Sequence, residues 1–78
     1  MNPLVYHYKR KIEEYCLQKE RLGYKRIFSI RWFMKVHGIP KKHMPYVSIA
    51  MRELSREGKI REYNSKAWIW VGNGKEEK

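Results

Sequence analysis

The sequence lacks most of the residue patterns on which enzymes depend. It contains no Asp and no Thr, and all eight of its acidic residues are Glu. Its three His residues and its single cysteine, Cys16, are scattered without the paired spacing of a metal site. Neither a glycine-rich phosphate loop nor a Ser-His-acid set occurs. We therefore expect a non-enzyme with no catalytic residues, no metal, no cofactor and no small-molecule ligand.

The sequence also lacks the features that an internal disulfide or a membrane-spanning helix would require. Cys16 has no second cysteine to pair with inside the chain, which suits a reducing, intracellular compartment. No apolar run approaches the roughly 20 residues that span a bilayer, and no signal-peptide core precedes the first helix. These features predict a cytoplasmic protein without membrane contact.

Positive charge is what the sequence has in excess. The 78 residues carry a formal net charge of +10. Residues 24–66 hold eleven Lys or Arg against three Glu, whereas residues 1–22 hold five against three. Solubility alone needs a net charge of about 2–8 and no such clustering. We therefore expect a polyanionic partner, nucleic acid first and an anionic membrane second.

The first helix is predicted over residues 3–22. Asn2 followed by Pro3 is a good N-cap and first-turn pair, and Gly23 is a good stop. Its apolar seam follows a 3–4 spacing and consists of Val5, Tyr8, Ile12, Tyr15 and Leu22.

Two more helices and two strands follow from local signals. Residues 24–28 predict a short strand, and Ser29 caps a second helix that ends at Gly38, with Phe33 and Val36 or His37 facing inward. A third helix starts at Pro45, closes at Gly58 and buries a face of four residues: Val47, Ala50, Met51 and Leu54. The segments KIREY and KAWIWV predict a hairpin with its tip at Asn64, Ser65 and Lys66. We thus expect one domain over residues 1–71 and a disordered polar tail over residues 72–78.

This order of elements resembles the winged helix-turn-helix family of DNA-binding domains. The apolar spacing Val47, Met51, Leu54, then Gly58, and the Phe28-Ser29 entry to the second helix carry the likeness. The resemblance implies an α+β, mostly helical fold with three helices, a short strand and a C-terminal two-stranded wing. Two features depart from the family pattern. The turn over residues 38–47 is about three residues longer than the tightest members have, and the last strand is apolar on both faces.

On this resemblance the third helix lies in the major groove of double-stranded DNA. A 100° step places its base-reading candidates opposite the buried face or on its flanks: Tyr46, Ser48, Ile49, Arg52 and Arg56. The pairs Arg52–Arg56 and Glu53–Glu57 place like charges four residues apart. Such pairs repel, which favours an external anion over self-stabilisation.

Other basic and polar side chains are predicted to position the protein on the duplex. Candidates for backbone contact are Arg31, Lys35, Lys41, Lys42 and His43. Candidates on the wing are Arg61, Asn64, Ser65 and Lys66. For Lys41, Lys42 and His43 the alternative is a solvated loop without a binding role.

A homodimer is also predicted. Its proposed interface combines the seam of the first helix with the last strand and consists of Val5, Tyr8, Ile12, Tyr15, Trp68 and Trp70. Such a dimer would present two recognition helices to half-sites about 34–36 Å apart. The same seam could equally pack against the second and third helices of its own chain.

The favoured function is sequence-specific DNA binding by a small transcriptional regulator. One alternative is a protein-interaction subunit of a replication, transcription or RNA-processing assembly that works through its tryptophan-bearing strand. Another is an architectural DNA binder without sequence choice. The aromatic content of 14% is compatible with stacking on single-stranded bases, although a small core built from large side chains is favoured.

Overall fold

The computed structural model describes residues 2–72 and shows a small, mostly helical α+β fold, as predicted. The three helices are α1 (Pro3–Arg21), α2 (Ile30–Val36) and α3 (Met44–Arg56), and a 3-10 turn (Lys41–His43) leads into α3. The three strands are β1 (Ile27–Phe28), β2 (Ile60–Asn64) and β3 (Ala67–Trp70). Apart from Gly72, the tail that was predicted to be disordered lies outside the described residues.

Local capping sets the helix ends. The Asn2 side chain accepts a hydrogen bond from the Leu4 N–H at 2.8 Å, and the Ser29 hydroxyl accepts one from the Trp32 N–H at 3.1 Å. The helix α3 begins at Met44, one residue before the predicted start, because the 3-10 turn runs directly into it. Both caps that were predicted from sequence are therefore present.

The strands form one antiparallel sheet in the order β1-β3-β2. In this register Phe28 lies opposite Trp68, and Ile60 lies opposite Trp70. On the other face of β3, Ile69 lies between Ile27 and Arg61 and is half-buried. Trp68 and Trp70 thus lie on the core face of β3, and its second face is only partly covered.

One core joins the helices to the sheet. Its buried members are Val5, Tyr8, Ile12, Cys16, Phe28, Phe33, Met34, Val47, Ala50, Met51, Leu54, Ile60 and Trp70. The four inward residues predicted for α3 are all among them. Trp70 satisfies its polar atom by donating its indole N–H to a carboxylate oxygen of Glu20 at 2.8 Å.

One inward position was predicted wrongly. Leu22 is 60% exposed, because the helix α1 ends at Arg21 and Leu22 lies beyond its last turn. For α2 the prediction was Val36 or His37. Val36 is 52% exposed, whereas His37 is half-buried and its ring lies 4.5 Å from that of the buried Phe33.

The predicted dimer interface is wrong for most of its side chains. Val5, Tyr8, Ile12 and Trp70 are between 0% and 5% exposed within the single chain. Tyr15 and Trp68 are half-buried and pack against the same core. The seam of α1 closes the chain's own core over α3, because a chain this short has few other apolar surfaces with which to cover that helix. The homodimer itself stays a prediction.

Candidate nucleic-acid interface

The outward side of α3 carries three of the five predicted base-reading residues. Ile49, Arg52 and Arg56 recur at three- and four-residue spacing and are exposed. Ser48 is half-buried. Tyr46 is also half-buried, packs against the core, and places its ring 5.8 Å from that of His43. The structure therefore brings Ile49, Arg52 and Arg56 onto one accessible surface and leaves Tyr46 partly turned to the core.

The charges of α3 are arranged differently from the sequence expectation. Arg56 pairs with Glu53 at 3.5 Å, and Glu57 pairs with Lys9 and Lys59. Ion pairs within the protein thus offset Arg56, Glu53 and Glu57, so their repulsion no longer supports an external anion, which stays a prediction. The Arg56 side chain is 71% exposed, and an exposed ion pair of this kind contributes about 0–1 kcal/mol. Arg56 can exchange Glu53 for a phosphate at low cost.

Carboxylates are concentrated on the side of the molecule formed by α1. Glu13 and Glu57 pair with Lys59, Glu57 also pairs with Lys9, and Glu20 pairs with Arg26. The hydrogen bond from Lys9 lowers the pKa of Glu57, and the one to Glu13 raises the pKa of Lys59. This network ties α1 to the end of α3 and to the residue before β2.

The predicted DNA-facing cations take no part in that network. Within residues 2–72, these side chains have no carboxylate at ion-pair distance: Arg31, Lys35, Lys41, Lys42, Arg52, Arg61 and Lys66. All seven are exposed. Because no carboxylate pairs with them, their charge is available to an anion in the solvent.

Several of these cations border a shallow groove between α2 and the start of α3. Arg31, Lys35 and Lys41 line it together with an apolar floor that consists of Met34, Ile39 and Met44. Lys42 is exposed in the same 3-10 turn as Lys41. The structure thus brings together four of the five side chains predicted to contact the DNA backbone.

The fifth, His43, has a structural contact that the sequence did not reveal. Its Nδ1 atom lies 2.8 Å from the Tyr8 hydroxyl, and the ring is half-buried. This hydrogen bond joins α1 to the start of α3 across 35 residues of sequence. No local sequence pattern predicts this hydrogen bond, because Tyr8 and His43 belong to separate elements and lie 35 residues apart in the chain.

The tip of the hairpin lies beside the start of α2. Ser65 and Lys66 form the turn, and the Asn64 side chain accepts a hydrogen bond from the Lys66 N–H at 2.8 Å. Asn64 therefore shapes the tip. Lys66 and Arg31 line one cleft together, although they are far apart in sequence. Arg61 is exposed on β2.

The one cysteine, Cys16, lies buried in the core. Burial raises the pKa of the Cys16 thiol to about 12, which keeps it protonated and unreactive at neutral pH. Within residues 2–72, no three His, Cys or Glu side chains come together as a metal site would require. In the same part of the chain, no helix is long and apolar enough to cross a membrane.

Comparisons with known proteins identified no related protein. No family model matches the chain, and no curated protein and no solved structure matches it either. Only the geometry and the charge of the chain itself therefore bear on the candidate interface.

Proposed function

We propose that the protein is a winged helix-turn-helix domain that binds double-stranded DNA with α3 in the major groove. The observation that supports this most strongly is the balance of charge on particular elements. Seven exposed cations on α2, the 3-10 turn, α3 and the wing have no carboxylate partner among residues 2–72. Arg10 and Arg21 on α1 are also exposed and unpaired, but α1 carries three Glu residues, whereas α2 and the 3-10 turn carry none. An exposed surface of that kind attracts a polyanion.

We assign base contacts and phosphate contacts to different residues of this surface. Arg52 and Arg56 have the reach and the donors to contact guanine edges, and Ile49 can contact a thymine methyl group. Ser48 and Tyr46 would contribute through the part of each side chain that is not buried. Arg31, Lys35, Lys41 and Lys42 would hold phosphates on either side of the helix. Lys66 and Arg61 would reach the backbone from the wing.

The finer part of the proposal is sequence-specific binding by a small transcriptional regulator. The test is selection from a random duplex pool: we expect enrichment of sites that share several base pairs under the α3 contact. Loss of enrichment together with tight binding would favour the architectural alternative, because phosphate contacts alone carry no sequence information. A palindromic site would support the predicted homodimer, and a single asymmetric site would count against it.

The protein-interaction alternative loses the surface on which it depended. Trp70 is 1% exposed and hydrogen-bonded to Glu20, and Trp68 packs against the core. A partner could reach Trp70 only after the sheet had opened, whereas Trp68 is half-buried and stays partly accessible. DNA binding through α3 needs no such rearrangement.

A further inference from the structure

A cleft separates the tip of the hairpin from the start of α2. It has a volume of about 510 Å³, and its walls consist of Ser29, Ile30, Arg31, Ser65, Lys66 and Trp68. Small-molecule sites typically measure about 300–1,000 Å³, so the cleft is large enough for one nucleotide. Its two charged residues are both cations, and neither has a carboxylate partner among residues 2–72.

The tryptophan in this cleft differs from its neighbour two residues later. Trp70 is buried, and its indole N–H donates to Glu20. Trp68 is only half-buried, and its indole N–H makes no hydrogen bond to any residue in the described range 2–72. A half-exposed indole beside two unpaired cations suits a ligand that combines an aromatic ring with a negative charge.

The cleft adjoins the basic groove of the proposed DNA-binding surface, because Arg31 lines both. Lys35 and Lys41 line the groove but not the cleft. A strand with phosphates at Arg31, Lys35 and Lys41 would therefore come close to the cleft. The ligand is therefore more reasonably part of a nucleic-acid strand than a free nucleotide.

We propose that this cleft takes one unstacked nucleotide of the bound DNA. Its base lies against the Trp68 indole, and its phosphate lies between Arg31 and Lys66. Extruding a paired base costs unstacking and unpairing energy, which an already unpaired base does not require. The protein would then bind a duplex with an unpaired nucleotide more tightly than a fully paired one. This assignment rests on the proposed duplex binding.

The test compares three hairpin duplexes by fluorescence anisotropy with the full chain. One is fully paired, one carries a single-nucleotide bulge, and one carries an abasic bulge of the same backbone. Base–aromatic stacking predicts about tenfold tighter binding of the nucleotide bulge, with the abasic bulge equal to the paired duplex. Equal affinity for the two bulges would overturn the proposal, because a flexible backbone alone would then explain any preference.

Two variants test whether Trp68 causes the preference for the bulged duplex. Trp68→Leu should remove the preference for the bulge while it keeps the affinity for the paired duplex. Trp32→Leu replaces a tryptophan that is 55% exposed outside the cleft and should keep the preference. Retention of the preference in Trp68→Leu would overturn the assignment. Circular dichroism shows whether each variant folds.

If Trp68→Leu does not fold, a fluorescence measurement on the wild-type protein tests the same contact. With 2-aminopurine as the bulged base, stacking on an indole should quench its fluorescence on binding, and unchanged fluorescence would contradict the proposal. Failure of all three duplexes to bind at low salt would overturn the proposed function itself. Equal, salt-sensitive binding of all three would overturn only the nucleotide cleft.

Discussion

Arg52 and Arg56 lie on the same side of α3 but in different electrostatic surroundings. Arg56 shares its charge with Glu53 at 3.5 Å, whereas Arg52 has no carboxylate partner in the described part of the chain. A phosphate or a guanine edge must displace Glu53 to gain Arg56, but it meets Arg52 directly. We infer that Arg52 contributes more to binding than Arg56 does.

Replacement of these residues tests that inference. Arg52→Ala should weaken binding to a selected duplex by about 1–3 kcal/mol, and Arg56→Ala should weaken it by less. Arg21→Ala is the matched control, since it removes one positive charge from the exposed end of α1. Anisotropy titrations measure the affinities, and thermal unfolding shows that folding is kept. An equal loss in all three variants would mean that only net charge matters.

Glu57 links stability to pH. The hydrogen bond from Lys9 lowers its pKa from the ordinary 4.5 in the folded state, so its stabilising contribution is present above that value. The contribution is lost as the pH falls through the lowered value. Glu57→Gln should therefore lower the free energy of unfolding at neutral pH by about 1 kcal/mol or less, since the pair is partly exposed.

Urea unfolding at several pH values measures this difference. The wild type and Glu57→Gln should converge as the pH falls through the lowered pKa of Glu57. The matched control is Glu62→Gln on the wing, where no ion pair forms within residues 2–72, and its difference from the wild type should stay small throughout. A difference for Glu57→Gln that persisted at low pH would contradict the ion-pair account.

Among the elements, the end of α3 fixes where the hairpin of β2 and β3 begins. Gly58 has a φ of +80°, and its N–H donates to the Ser55 carbonyl. The Lys59 N–H donates to the Leu54 carbonyl at 3.0 Å, which completes a Schellman motif. This stop turns the chain into β2, and Ile60 enters the core directly after it.

A side chain at Gly58 should disturb that turn. A Cβ atom there would meet no atom within 4 Å, so the cost of Gly58→Ala comes from the backbone conformation alone. We expect a loss of about 1–2 kcal/mol in the free energy of unfolding, measured by urea denaturation. Gly58→Asn should recover part of the loss, because Asn tolerates this conformation better. Equal stability of Gly58→Ala and the wild type would contradict the assigned geometry.

The elements themselves were predictable because their signals are local. Asn2, Ser29 and Gly58 define helix ends through contacts a few residues away. The use of the α1 seam was not predictable, because Val5 and Ile12 have the same spacing whether they face their own core or a partner. Lys9 and Glu57 are in contact although 48 residues separate them in sequence. No periodic pattern in the sequence predicts a contact between residues so far apart.

Charge is balanced differently in different parts of the protein. The helix α1 carries three Glu residues, whereas α2 and the 3-10 turn carry none. The excess of Lys and Arg over residues 24–66 was visible in the sequence. Which of those cations form ion pairs was not visible, because Lys59 pairs with Glu13 across 46 residues. The cations of α2 and the 3-10 turn have no carboxylate partner among residues 2–72, and the proposed function depends on them.

The salt dependence of binding to a duplex tests that account most directly. Six to eight phosphate contacts predict that the logarithm of the association constant falls with the logarithm of salt concentration with a slope of about −5 to −7. Lys41→Ala should make the slope shallower by about 1, and Arg21→Ala should leave it unchanged. A slope shallower than about −2, or one that both variants alter equally, would contradict the proposal that this surface binds DNA.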